Sequence, residues 1–275
     1  MLLVEAFMKR AISFSILLAC GFLLLLTSSK AEAYDTTDKY EVRKLEGWGL
    51  RIHKDLLLNT NLSQQVVRLL EFQLYQITRA VPSPALTKLR EVPIWIELND
   101  PKFPCMCYHP SPDWLREHDM NPEKACGVEI ANAKNFLTWT KEQPWMVLHE
   151  MAHSYHHRVL GYDNAEIKSA FDAAVASRKY ESIMHINGQI LRHYALSNDQ
   201  EYFAESTEAY FGVNDFYPFV RSELKQQDPR IYEILGKVWG IEKAEPSSKL
   251  ASDERKEPSV SNGKQARPPE ANPAR

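Results

Sequence analysis

The sequence predicts an α+β domain with a small mixed sheet and several helices. Short runs rich in β-branched and aromatic residues, such as 93–98, alternate with longer runs whose apolar residues recur at helical spacing. Two of the helical runs, 144–161 and 199–211, carry His or Glu side chains four residues apart, which places those side chains on one helix face. The 275-residue chain is long enough to bury a sizeable core.

Residues 1–33 have the pattern of an export signal. Lys9 and Arg10 precede an apolar run at 11–26, and an A-x-A cleavage sequence occupies 31–33. This run is shorter than the ~20 residues that a membrane-spanning helix needs. The sequence therefore predicts an exported protein, secreted or periplasmic in the cell envelope, with no membrane span after signal cleavage.

Residues 34–242 form the predicted domain, and residues 243–275 form a tail. The tail is rich in Pro, Ser, Lys and Glu and has almost no large apolar residue, so it cannot bury a core and should be disordered. The formal net charge is −3 at pH 7, and this near-neutral balance does not indicate nucleic-acid binding. The oligomeric state is left open by the sequence.

Three cysteines remain after signal cleavage: Cys105, Cys107 and Cys126. In an oxidising compartment an odd number permits one disulfide and one free thiol, and Cys126 can pair with either of the other two. A metal site made from these thiolates is not favoured, because no fourth ligand has an obvious spacing. We therefore expect one structural disulfide.

The N-terminal part of the predicted domain begins with a hairpin and a helix. Residues 40–53 alternate in polarity and include two glycines, which indicates the hairpin. Asn61 or Ser63 caps the helix, which continues to about Ala80 and is ended by Pro82.

Two strands and a long loop follow in the predicted order. The strands are 93–98 and 128–136, and the loop at 101–125 holds the first two cysteines of the domain. The later elements are a helix at 165–178, a hairpin around Asn187-Gly188, a helix at 199–211 and a last helix at 229–239.

The helix predicted between Pro144 and Gly161 contains the sequence H-E-x-x-H. His149 and His153 lie one turn apart on the same face and can present two imidazoles to one metal ion. Glu150 is rotated by about 100° from His149, which places its carboxylate beside that ion. The neighbouring residues are apolar, and buried His and Glu side chains are costly without a partner. This combination predicts a zinc site in which Glu150 is the general base.

The third metal ligand has two candidate positions. A third histidine on the same helix would need glycine at 156 and histidine at 159, but the chain has His156 and Val159 there. Glu201 and Glu205, on the later helix, are four residues apart among aromatic and small residues that indicate burial. The simplest arrangement places Glu201 on the metal and lets Glu205 accept from the far nitrogen of a metal-bound histidine. The reverse assignment stays open, and Glu208 fits a solvated face better.

The two motifs together resemble the gluzincin metallopeptidases, and within them the catalytic domain of anthrax lethal factor and related peptidases. In that group H-E-x-x-H is followed by a hairpin, a tyrosine and N-x-x-E-[FY]-F-A-E. The corresponding segments here are 149–153, Tyr194 and 198–205. The resemblance covers roughly residues 128–220 and implies a zincin-like fold with Glu201 as the third ligand and Tyr194 as the catalytic tyrosine.

This resemblance implies zinc-dependent hydrolysis of peptide bonds by a gluzincin endopeptidase, with one Zn²⁺ per chain and a peptide or protein substrate. Glu150 would take a proton from zinc-activated water and pass it to the leaving nitrogen, while Tyr194 and zinc would stabilise the oxyanion. By the same resemblance, the strand at 128–136 would be the edge strand that pairs with an extended substrate.

Two other classes of function stay open. Glu150-Met-Ala-His153 is also the E-x-x-H unit of di-iron carboxylate proteins, but that fold needs two such units on long helices, and the sequence has one. A non-catalytic envelope protein could use zinc structurally, although structural sites favour cysteine and close all four positions. The presence of Glu150 favours catalysis over a structural zinc site.

Overall fold

A computed structural model describes residues 34–241. The export signal predicted for 1–33 and the tail predicted for 243–275 lie outside these residues. None of the helices formed by residues 34–241 has the length and apolar character that crossing a bilayer requires.

The main sheet contains five strands: β1 (Tyr40–Leu45), β2 (Trp48–His53), β3 (Ile94–Ile96), β4 (Met106–Tyr108) and β5 (Val128–Ile130). Their order across the sheet is β1-β2-β3-β5-β4. β2, β3 and β5 run parallel to one another, whereas β1 and β4 are antiparallel to their neighbours at the two edges. The sheet is therefore mixed and small, and with the helices it gives the predicted α+β class.

Ten α-helices are formed by residues 34–241: α1 (Lys54–Leu58), α2 (Thr60–Ala80), α3 (Ser83–Leu89), α4 (Pro112–Glu117), α5 (Ala133–Trp139), α6 (Met146–Tyr155), α7 (Ala165–Ser177), α8 (Asp199–Phe211), α9 (Arg221–Gln227) and α10 (Pro229–Val238). A separate hairpin of β6 (Ile183–Met184) and β7 (Ile190–Leu191) lies between α7 and α8 in the chain. Its turn contains Asn187-Gly188 as predicted, and Gly188 has the positive φ of 87° that favours glycine.

One continuous apolar core joins the sheet to the helices. Residues of β3, β5 and one stripe of α2 belong to it: Ile94, Ile96, Val128, Ile130, Val66, Leu70, Leu74 and Ile77. The α2 residues recur every three or four positions, which is the helical period. Asn59, rather than Asn61 or Ser63, caps α2, because its side chain accepts from the Leu62 amide.

The strand predicted at 128–136 is only partly correct. β5 ends at Ile130, and α5 follows because the side chain of Asn132 accepts a hydrogen bond from the Asn135 amide at 2.9 Å and caps the new helix. β5 is also internal, since it lies between β3 and β4. The edge-strand position expected for this segment is therefore occupied by β4, which the sequence placed in a loop at 101–125.

The expected disulfide is absent from the described residues, where Cys105, Cys107 and Cys126 are free thiols. The sulfurs of Cys105 and Cys107 have different neighbours. Cys105 Sγ lies 3.6 Å from the Met146 sulfur, and Cys107 Sγ lies 3.5 Å from the His109 ring. Burial raises the pKa of the Cys105 thiol to about 12, which keeps it protonated at neutral pH.

The helix with H-E-x-x-H is held against α8. α6 is followed by one π-helical turn at His156–Leu160, and Gly161 has φ of 80° where the chain leaves the helix. α8 packs along α6. At the end of α8, a Cβ atom on Gly212 would overlap the indole ring of Trp145, the residue before α6.

Replacing Gly212 by Ala should therefore destabilise the protein by about 1–3 kcal/mol, because the Trp145 ring must move to admit the methyl group. Thermal unfolding should show a fall in Tm of roughly 2–4 °C per kcal/mol. Gly49→Ala is a matched control, since a Cβ atom there meets nothing within 4 Å. An unchanged Tm for Gly212→Ala would contradict the close packing of α6 on α8.

Candidate functional site

Two histidines of α6 and one glutamate of α8 meet at a single point. His149 Nε2 lies 3.0 Å from Glu201 Oε2, and His153 Nε2 lies 3.4 Å from the same oxygen. The two imidazole rings are 4.8 Å apart between centroids and nearly perpendicular. The three residues named from the sequence as metal ligands therefore lie close together, with one ligand atom from each facing the others.

These separations fit a tetrahedral metal ion. Two ligand atoms that each lie about 2.0–2.1 Å from zinc at a tetrahedral angle are about 3.3 Å apart. The two histidine-to-Glu201 distances bracket that value at 3.0 and 3.4 Å. Two neutral imidazoles and one carboxylate are also a donor set that zinc binds. The residues present therefore fit a zinc ion in their donor atoms and in both histidine-to-glutamate separations.

The position of Glu201 follows from the start of α8. Asn198 is the N-cap, and its side-chain oxygen accepts from the Glu201 amide at 2.8 Å. This cap starts the helix so that Glu201 lies in the first turn, where the helix dipole favours a negative charge. The N-x-x-E sequence thus both begins the helix and directs one carboxylate toward α6.

The other nitrogen of His149 contacts Glu208, not Glu205. His149 Nδ1 lies 2.7 Å from Glu208 Oε1, whereas the nearest oxygen of Glu205 is 3.8 Å away. Glu208 is only 3% exposed, so its placement on a solvated face is wrong. The hydrogen bond from the far nitrogen that the sequence assigned to Glu205 is therefore made by Glu208 in this structure.

The carboxylates around His149 have different pKa values because their partners differ. Burial acts to raise the pKa of Glu201, but hydrogen bonds from the two histidines lower it well below its ordinary value. Burial, with the nearby charges of Asp215 and Glu208, raises the pKa of Glu205 well above its ordinary value. Burial also raises the pKa of Glu208, although the hydrogen bond from His149 offsets part of that effect. Glu201 is therefore the carboxylate that stays ionised where a cation would bind.

Sequence reasoning misplaced Glu208 and missed Asp215. Glu208 follows Glu201 by seven residues, so both lie on the stripe that also carries Glu205, and this i, i+4, i+7 spacing could have indicated it. Asp215 lies in irregular backbone after α8, is 4% exposed and has its Oδ2 3.6 Å from His185 Nε2. No sequence pattern marks Asp215, because only the folded loop brings it to the site.

All of these groups border one cleft of about 540 Å³. Glu150 lines it beside the two histidines, and residues of the edge strand β4 line it as well. Among residues 34–241, no lysine or arginine lines this cleft. The cleft therefore combines a candidate cation site, four further carboxylates and an open strand edge.

Tyr194 lines the same cleft, in a short 3₁₀ turn before α8. His193 caps that turn by accepting from the Ala195 amide. Tyr194 is 50% exposed, so it is not the core tyrosine that a packing role would require. Burial and the charge of Glu201 raise the pKa of its phenol, which keeps the hydroxyl protonated and able to donate.

Comparisons with known proteins give little further information. No protein-family model matches the chain, and no curated protein matches it. Among solved structures the chain is similar to the Pro-Pro endopeptidase PPEP-2 from Paenibacillus alvei, with 22% identity and a TM-score of 0.34 over 59% of this chain and 85% of that chain. A likeness this distant carries no argument about family or substrate, so the resemblance to lethal-factor-like peptidases stays a prediction.

Replacing Glu208 by Gln should weaken zinc binding about 10–100-fold, because the carboxylate that orients the His149 ring is lost. Glu205→Gln, on the same helix face, is the matched control and should change the affinity less. Competition against a chromophoric chelator measures both affinities, and thermal unfolding of the metal-free variants checks that they fold. Equal zinc affinities for Glu208→Gln and the unmodified chain would contradict the orienting role.

Proposed function

We propose that this protein is a zinc-dependent endopeptidase. The observation that carries the proposal is that His149 Nε2 and His153 Nε2 lie 3.0 and 3.4 Å from Glu201 Oε2, beside Glu150 in an open cleft. Two histidines and one glutamate leave a fourth tetrahedral position for water, which is the arrangement of catalytic rather than structural zinc. The sequence resemblance to gluzincins agrees with this donor set.

Peptide hydrolysis at this site would use both the zinc ion and the side chains of Glu150 and Tyr194. Zinc at this site would polarise the scissile carbonyl and lower the pKa of a bound water to about 7. Glu150 follows His149 directly on α6, so its carboxylate borders the same space without being a ligand. It accepts the proton of the attacking water and delivers it to the leaving nitrogen. Tyr194 donates its hydroxyl hydrogen to the oxyanion.

The edge strand β4 gives the cleft a surface for an extended peptide. An edge strand has unpaired backbone groups on its outer side, and β4 pairs with β5 on its inner side only. We place the substrate backbone along β4, so that its main chain adds to the sheet. A substrate bound by its backbone in an open cleft can extend in both directions, which favours cleavage at an internal peptide bond. Backbone contacts of this kind do not select a particular substrate sequence.

The proposed setting is outside the cytoplasm. The basic residues, the apolar run and the A-x-A sequence within 1–33 support export to the cell envelope or the medium. A peptide or protein in that compartment would then be the partner. The chain would carry one zinc ion for this reaction.

Replacing Glu150 by Gln should reduce peptide cleavage about 10²–10⁴-fold, because the general base is lost, while zinc content stays at that of the unmodified chain. Mass spectrometry of products from a mixed peptide library measures cleavage, and elemental analysis measures zinc. Glu117→Gln, an exposed change on α4, is the control and should leave both unchanged. A zinc-loaded chain that cleaves no peptide would favour the non-catalytic alternative, and undiminished cleavage by Glu150→Gln would contradict the role of Glu150 as the general base.

Replacing Tyr194 by Phe should lower kcat on the order of 10²–10³-fold and leave KM nearly unchanged, because the hydroxyl acts mainly in the transition state. The ring is kept, so stability should be near normal. Tyr75→Phe on α2 removes the hydroxyl of a similarly exposed tyrosine and should have no effect. Steady-state kinetics on one cleaved peptide measures kcat and KM for each variant and for the unmodified chain. An unchanged kcat for Tyr194→Phe would show that the hydroxyl of Tyr194 has no catalytic role.

A further inference from the structure

A second cluster of ligand-type side chains lies on the two strands β4 and β5. Cys107 of β4 and Glu129 of β5 are directly paired in the antiparallel ladder. His109 follows Cys107 by two residues, so its side chain lies on the same side of the strand. His109 is 2% exposed and Glu129 is fully buried. These three residues share no member with the cluster around His149.

Three potential ligand atoms meet in this cluster. Cys107 Sγ lies 3.5 Å from His109 Nε2, and Glu129 Oε2 lies 2.6 Å from the same nitrogen. One ring N–H can donate to only one of these two acceptors. A sulfur and a nitrogen bound to the same tetrahedral zinc are about 3.6 Å apart, which matches the first distance. The second distance would need to open by about 0.7 Å to reach the spacing of zinc-bound nitrogen and oxygen.

The carboxylate is already oriented by a buried lysine. Lys124 donates to the other oxygen of Glu129 and lies 2.8 Å from Glu97. Lys124 is 4% exposed, so this contact is held inside the protein. Because the lysine occupies Oε1, Oε2 is the oxygen that remains directed at His109 and Cys107. An outer partner that fixes a ligating carboxylate in this way is common around metal ions.

We infer that Cys107, His109 and Glu129 bind a second divalent, thiol-preferring cation, best served by Zn²⁺, which cross-links β4 to β5. On binding, the Cys107 thiol releases its proton to solvent and the sulfur bonds to the ion. The ring proton of His109 resides on Nδ1, which frees Nε2 as a ligand. The two charges of the ion are balanced by the thiolate and Glu129, and Lys124 is balanced by Glu97, so the buried cluster stays neutral.

Such an ion would support the edge strand of the cleft. β4 has three residues and pairs with β5 only. Cys107 is the member of the cluster that borders the cleft, and three protein ligands would leave a fourth position for water. The ion would hold in place the strand beside the histidines, although its binding does not depend on whether the cleft cleaves peptides.

Cobalt titration of the metal-free, reduced chain tests this inference, because thiolate-bound Co²⁺ absorbs in the near ultraviolet and cobalt bound only by His and Glu does not. The unmodified chain should bind two Co²⁺ and show the thiolate absorption. Cys107→Ser should bind one Co²⁺ without that absorption. The double variant His153→Ala/Glu201→Ala should bind one Co²⁺ and keep the thiolate absorption. The two variants therefore separate the two sites.

A complementary variant leaves the cluster intact. In Cys105→Ser/Cys126→Ser, Cys107 is the one remaining thiol among residues 34–241. This variant should still bind two Co²⁺, and one of them should give the thiolate absorption. Loss of the absorption in this variant would overturn the inference. Absence of the thiolate absorption from the unmodified chain would also overturn the inference. Survival of this absorption in Cys107→Ser would overturn it as well.

Discussion

The site depends on the burial of α8 carboxylates against the histidines of α6. A buried charge is costly unless it is paired, and His149 is held on both sides, by Glu201 at Nε2 and by Glu208 at Nδ1. The two glutamates are seven residues apart, about two helical turns. Sliding α8 along α6 by one turn would bring Glu205 to one nitrogen of His149 and leave the other nitrogen without a carboxylate. The same pairing therefore fixes the register of the two helices and shapes the candidate metal site.

The sheet contributes through its edge rather than its centre. The parallel strands β2, β3 and β5 are covered and supply apolar residues to the core, whereas β4 lies at the border of the sheet and of the cleft. A three-residue edge strand has few ladder hydrogen bonds to hold it. Buried polar contacts from Glu129 to His109 and Lys124 add to those bonds and connect β4 and β5 to the segment around Lys124. Both walls of the cleft are thus positioned by buried charged groups.

The two helices that carry the site could be predicted because their signals are local. H-E-x-x-H places two histidines on one face by helical geometry alone, and the Asn198 cap with Glu201 three residues later marks both the start of α8 and the direction of its first carboxylate. The structure brings His149, His153 and Glu201 together, as those local signals required. Glu150 and Tyr194 also line the cleft. Their chemical roles remain those proposed from the motif.

The sequence by itself determined the α+β class, most helices and the residues that can meet a metal ion, because periodicity, caps and turns act within a few residues. Tertiary structure decided that Glu208 rather than Glu205 contacts His149, since that choice depends on how α8 is rotated against α6. It also decided that β4 is the edge strand and that the thiols are separate. Strand order and the distances between loop residues come from packing across the whole chain, and no local pattern encodes them.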